Sequence, residues 1–255
     1  MTAGFRLLAV HGFLGRPSDW DGLAASLPEA AVSAIDLWAM LGRPEVTDWS
    51  SMSTALDATL VDALGADDRR PAFLIAYSFG ARLALSSALA SGRGRVIRGV
   101  CLVSCNPGLA DDDATARDER RAADAAWAGR ILTSPESEIW RAWDAQPVFA
   151  GLGQAPPREG LPASRETLAR ALTRFSLAGQ PDFRPRLRAW SAPLLWVTGA
   201  RDAKFAGIAR ELAEGGVPAA FVTCAEAGHR VPWENPSAFA GALRAWMTQV
   251  METVP

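Results

Sequence analysis

No apolar run in this sequence approaches the roughly 20 residues needed to cross a bilayer. Its first ten residues hold neither a basic leader nor the apolar core of a signal peptide, so a cytoplasmic protein without a membrane partner is expected. Charge of one sign is lacking too: 26 Lys and Arg face 28 Asp and Glu, a net charge of -2, which leaves no global positive field to draw in nucleic acid. Cysteine is scarce. Cys101, Cys105 and Cys224 all fall in apolar strand-like runs without metal-ligand spacing, so neither a disulfide framework nor a bound metal is expected, and the three read as core residues. With 49% apolar and 21% charged residues the chain is not disordered, and no repeat or low-complexity tract is present.

What is present is an alternation. Short apolar runs at residues 5–10, 31–36, 72–76, 100–104, 194–198 and 219–224 read as strands apolar on both faces. Between and after them lie Ala- and Leu-rich stretches of helical length, at 51–64, 80–91, 203–214 and 236–251. This predicts an α/β fold with a mostly parallel central sheet flanked by helices. From residue 106 to about 180 no strand is evident, but helical patches rich in Arg and Trp are. We therefore expect a core of residues 1–106 and 181–255, with residues 107–180 inserted as a helical cap that the Pro and Gly cluster at 151–162 divides in two.

Three motifs carry chemistry. After the third run, Ala76-Tyr77-Ser78-Phe79-Gly80 enters a helix as small-x-Ser-x-Gly, the context of a nucleophile elbow; a helix-capping serine is the plainer alternative. Two histidines are the whole supply of imidazole. His229 follows the last strand-like run and precedes the terminal helix, where a loop at the carboxyl edge of the sheet reaches the serine, unless it only faces solvent. His11, in His11-Gly12-Phe13-Leu14-Gly15, resembles the His-Gly loop that gives an oxyanion-hole amide in the α/β-hydrolase fold; the backbone N–H groups of Phe13 and Phe79 would then face the oxyanion, with His11 mainly structural. Asp202, just past the fifth strand, is the candidate carboxylate, with a turn or cap aspartate as the alternative. The order Ser78, Asp202, His229 is that of the α/β-hydrolases.

Further segments resemble the MenH family, the 2-succinyl-6-hydroxy-2,4-cyclohexadiene-1-carboxylate synthases of menaquinone biosynthesis. They include the His11–Gly15 loop with Asp19-Trp20, Asn106-Pro107-Gly108-Leu109, Gln146-Pro147-Val148-Phe149, Asp202-Ala203-Lys204-Phe205 and Gly228-His229 with Glu234-Asn235-Pro236. The resemblance runs through most of the chain. It implies an α/β-hydrolase fold and a cofactor-free lyase, in which the triad serine acts as a base on a ring C–H and elimination releases pyruvate without an acyl-enzyme. A small anionic substrate with three carboxylates suits guanidinium forks. Arg82, Arg120 and Trp143 match the family's substrate-site positions, and Arg165 matches less closely; solvated helix faces, or cap packing for Trp143, are the alternatives. Tyr77, the lone tyrosine, adjoins Ser78 and either lines the pocket or packs beneath it. The chain departs from the family at residues 38–42 and 230–233, in two loops expected to face the pocket.

Two other readings compete with the lyase: triad hydrolysis of a small ester, thioester or C–C bond, and a non-enzymatic ligand sensor using the same pocket. The sequence sets no oligomeric state, and a monomer satisfies it.

Overall fold

A computed structural model describes residues 4–65, 69–91, 97–149, 158 and 160–253. Six strands form one sheet: β1 (Phe5–Val10), β2 (Ala30–Ile35), β3 (Ala72–Tyr77), β4 (Ile97–Val103), β5 (Leu194–Gly199) and β6 (Ala220–Cys224). Their order is β2-β1-β3-β4-β5-β6, and every pairing is parallel. β3 and β5 are buried along their whole length, whereas the edge strands β2 and β6 are only partly so. That is why the middle runs read as continuously apolar.

The pleat sorts successive residues of each strand to opposite sides. Leu8, Val10, Leu74 and Ala76 enter one core with helices Trp49–Leu64 and Ser78–Ser91. Leu7, Ala9, Phe73 and Ile75 enter the other, against the terminal helix Pro236–Thr253. Each fully buried Leu, Ile or Phe contributes about 1.5–3 kcal/mol of transfer energy.

The chain winds outward from β1 to β2, then crosses back to place β3 on the far side of β1. Such a switch opens a crevice at the carboxyl ends of the strands. Between β4 and β5 the described residues form no strand, only helices Ala114–Thr133, Glu136–Asp144, Arg165–Arg174 and Arg184–Arg188 with short 3-10 turns. This segment leaves and rejoins the sheet side by side: the Phe183 N–H donates to the Pro107 carbonyl at 2.8 Å. Gly108, at φ +123°, lies so close to Pro181 that a Cβ there would stand 2.4 Å from its carbonyl oxygen. Most of the 151–162 cluster, residues 151–157 and 159, lies outside the described residues. No described helix is long and apolar enough to cross a membrane.

Candidate active site

Ser78 is the first residue of its helix and sits at φ +50°, a left-handed conformation costly for a residue with a side chain. The turn closes because Gly80 is bare: a Cβ there would lie 2.1 Å from the His11 carbonyl oxygen. The serine Oγ is 2.9 Å from His229 Nε2, so it bonds to the imidazole across the sheet.

His229 is held from several sides. Its Nδ1 lies 2.7 Å from Asp202 Oδ2. The Ser104 hydroxyl donates to its carbonyl at 2.8 Å, and its ring packs 4.5 Å from the Phe205 ring. Asp202 caps the helix Ala203–Glu214 by accepting from the Phe205 N–H through Oδ1, which leaves Oδ2 for the imidazole. The cap alternative and the partner alternative are thus both met, one on each oxygen, and the cap bond orients the other oxygen. The two loops are stitched together by the Arg201 N–H on the Ala227 carbonyl at 2.8 Å. Gly199 allows that approach, since a Cβ there would meet the Gly228 oxygen at 2.1 Å. With the Nδ1 proton turned to Asp202, Nε2 can accept the serine proton.

His11 stands apart from this set. Its Nε2 accepts from the Leu37 N–H at 3.2 Å and its Nδ1 donates to the Gly12 carbonyl at 2.9 Å. Burial lowers its pKa from 6.5 to about 4, against weaker support from the Gly12 carbonyl and Asp36. It is a neutral strut between the loops after β1 and β2.

Above Ser78 opens a cavity of about 570 Å³ lined by Phe13, Phe79, Arg82, Arg120, Trp143 and His229 among others. Arg82 is buried, donating to Gln180 Oε1 at 3.0 Å and to the Phe175 carbonyl at 3.1 Å. Desolvation, aided by Arg120, lowers its pKa to about 10. Arg120 forms a two-pronged pair with Asp124, one turn on. Trp143 packs on Phe13 at 4.8 Å and on Trp127 at 4.9 Å.

Two expected residues lie elsewhere. Arg165 points to the end of the Ala114–Thr133 helix, where its guanidinium donates to the Ser134 carbonyl at 2.7 Å and to the Ile131 carbonyl, and it is not part of the lining. Helix ends leave such carbonyls without partners, and a guanidinium satisfies them. Tyr77 packs edge-on against Trp233 at 4.8 Å, beneath the site. The two departing loops do not face the cavity either. Trp38 is buried with its indole N–H on the Gly15 carbonyl at 2.7 Å, and Arg230 is buried against Asp144. Sequence reasoning named neither Arg201 nor Lys204 as a site residue, yet both line the cavity. Their nearness to Asp202 was the available signal. All three cysteines are buried, and burial pushes their thiols up, so they are inert core groups.

The alpha/beta hydrolase family matches residues 7–242, nearly the whole chain. The chain belongs to the alpha/beta hydrolase family. Within it, the chain is 35% identical to a protein from Klebsiella pneumoniae subsp. pneumoniae named 2-succinyl-6-hydroxy-2,4-cyclohexadiene-1-carboxylate synthase, over 93% of this chain and 91% of that one. A protein of the same name from Serratia proteamaculans is 36% identical over 94% and 92%. Among solved alpha/beta hydrolase structures, MenH from S. aureus superposes with a TM-score of 0.84 at 23% identity, covering 98% of this chain and 96% of that one. An esterase from Thermogutta terrifontis gives 0.69 at 24% identity, covering 98% and 92%, so these structures speak for the fold alone.

Proposed function

We propose that this alpha/beta hydrolase is a lyase of menaquinone biosynthesis, a 2-succinyl-6-hydroxy-2,4-cyclohexadiene-1-carboxylate synthase. It eliminates pyruvate from 2-succinyl-5-enolpyruvyl-6-hydroxy-3-cyclohexene-1-carboxylate. The observation that carries the reading is identity of 33–36% to synthases of that name over at least nine-tenths of the chain. The character of the cavity supports it. Arg82, Arg120, Arg201 and Lys204 line it, Arg120 being paired with Asp124, while among the described lining residues Asp202 is the one carboxylate and is committed to His229. A positive, partly apolar chamber suits a small ring bearing several carboxylates.

In this reading Ser78, His229 and Asp202 are the catalytic residues. An alcohol alone is too weak a base for a carbon acid, so His229 Nε2 takes the serine proton as Oγ abstracts the ring C–H proton. Asp202 steadies the imidazolium. The electron pair released from the C–H bond expels the enolpyruvyl oxygen, and the leaving fragment becomes pyruvate. The backbone amides of Phe13 and Phe79 stabilise the negative charge that develops. Arg82 and Arg120 hold carboxylates, and Trp143 covers the ring. No acyl-enzyme forms. Residues 107–180 act as the cap that closes the site, and the enzyme works in the cytoplasm.

The test supplies purified protein with the enolpyruvyl substrate and, separately, with short chromogenic esters. Pyruvate release in step with the diene absorbance is expected. Fast ester cleavage without pyruvate would establish a hydrolase instead, and binding without turnover of either would establish a sensor.

A further inference from the structure

Arg230 follows His229 directly and departs from what the family places there, yet its side chain is 5% exposed and does not line the cavity. Its guanidinium forms an ion pair with Asp144, the last residue of the helix Glu136–Asp144. Asp144 also takes both prongs of Arg158, each at 2.7 Å, so one carboxylate serves two cations. The guanidinium carbon of Arg230 lies over the Phe149 ring, 4.2 Å from its centre. Phe149 lines the cavity, and its ring in turn meets the His229 ring at 5.6 Å, nearly edge-on. A closed circuit results: His229 leads through the peptide bond to Arg230, then by contact to Asp144 and Phe149, and back to the imidazole.

Asp202 and Ser78 hold the two nitrogens of His229, and the orientation of the ring between them is set by what packs on its faces and edge. Rings from the core, those of Phe205 and Tyr77, touch it. Among the described residues between β4 and β5, Phe149 is the ring in contact with it, and Phe149 in turn lies against Arg230. We propose that Arg230 is a positioning residue, which braces His229 against Ser78 by clamping the cap, through Asp144 and Phe149, onto the loop that carries the histidine. This rests on the triad of the proposed function, though not on the identity of its substrate. The clamp makes the activity of the triad depend on the seating of the cap.

The experiment reads the Ser78–His229 couple in two ways. One is kcat and KM for pyruvate release. The other is the rate at which a small alkyl fluorophosphonate labels Ser78: Oγ bonds to phosphorus, fluoride leaves and the hydroxyl proton passes to His229. Arg230→Gln is expected to lower both kcat and the labelling rate by about tenfold, the scale of a sub-ångström misplacement of a catalytic group. KM should stay within about twofold, because the side chain touches no ligand. Arg230→Lys keeps a charge for Asp144 but not the broad guanidinium contact with Phe149, and should restore only part of the loss. Asp144→Asn combined with Arg230→Gln should cost no more than the larger single change, as for two parts of one path. A labelling rate unchanged in Arg230→Gln, full rescue by lysine, or additive losses would overturn the clamp. Wild-type labelling that slows in Arg230→Gln while no variant releases pyruvate would retain the clamp and reject the substrate.

Discussion

Ser78 and His229 are 151 positions apart, and the 2.9 Å between their polar atoms is the contact on which the proposed chemistry depends. Replacing either by alanine should cut turnover by about a thousandfold or more while the chain still folds, since members of the proposed triad fail as a unit; kcat checks the first, and a cooperative calorimetric transition in each variant checks the second. Arg82 differs because it is built into the fold. Arg82→Ala strands Gln180 Oε1 and the Phe175 carbonyl, so weaker substrate binding should come with about 1–3 kcal/mol of lost stability, read by titration and by denaturant melts. Equal affinity with lowered stability would assign it to structure alone. That Ser78, Asp202 and His229 would meet was legible in the sequence because imidazole is so scarce that elimination leaves one candidate partner for the serine. Arg165 was not, because a guanidinium that satisfies a helix end and one that waits for a carboxylate look alike in a string of letters. Asp144, Arg158 and Arg230 were hidden for a related reason: they converge from three separate segments.

At the level of elements, the elbow helix and β1 approach each other only over a bare glycine. Gly80→Ala should therefore destabilise by about 3 kcal/mol, because the new methyl meets the His11 backbone rather than a movable side chain; a melt within a degree of the parent would contradict it. His11 ties the loops after β1 and β2 together and sets a pH dependence. Its pKa is about 4 folded against 6.5 ordinarily, so it adds nothing above pH 6.5. As pH falls below 6.5 the unfolded chain takes up the proton first and stability drops, reaching a loss of about 3 kcal/mol below pH 4. His11→Asn should flatten the stability curve across that window relative to its own value at pH 7, whereas parallel curves would remove His11 as the cause. The strands were readable since the central ones are apolar on both faces. The short helix Leu37–Leu41 was not, because it is held from outside by His11, by its Asp36 cap and by Trp38 on the Gly15 carbonyl.

Across the whole molecule the net charge of -2 conceals a cavity whose described lining includes Arg82, Arg120, Arg201 and Lys204, and an anionic substrate should feel the local charge rather than the total. Raising ionic strength from about 0.05 to 0.3 M should lower kcat/KM severalfold, as the Debye length shortens by more than half. The alternation of strands and helices marked out the architecture and the strand-free stretch after residue 106, whereas the bond from the Phe183 N–H to the Pro107 carbonyl joins residues too far apart to leave a pattern in the sequence. The most direct measurement is the yield of pyruvate per molecule of enolpyruvyl substrate consumed, for the wild type and for Ser78→Ala. One pyruvate per substrate, lost in the variant, is expected. Substrate consumed without pyruvate, or equal turnover in Ser78→Ala, would contradict the assignment.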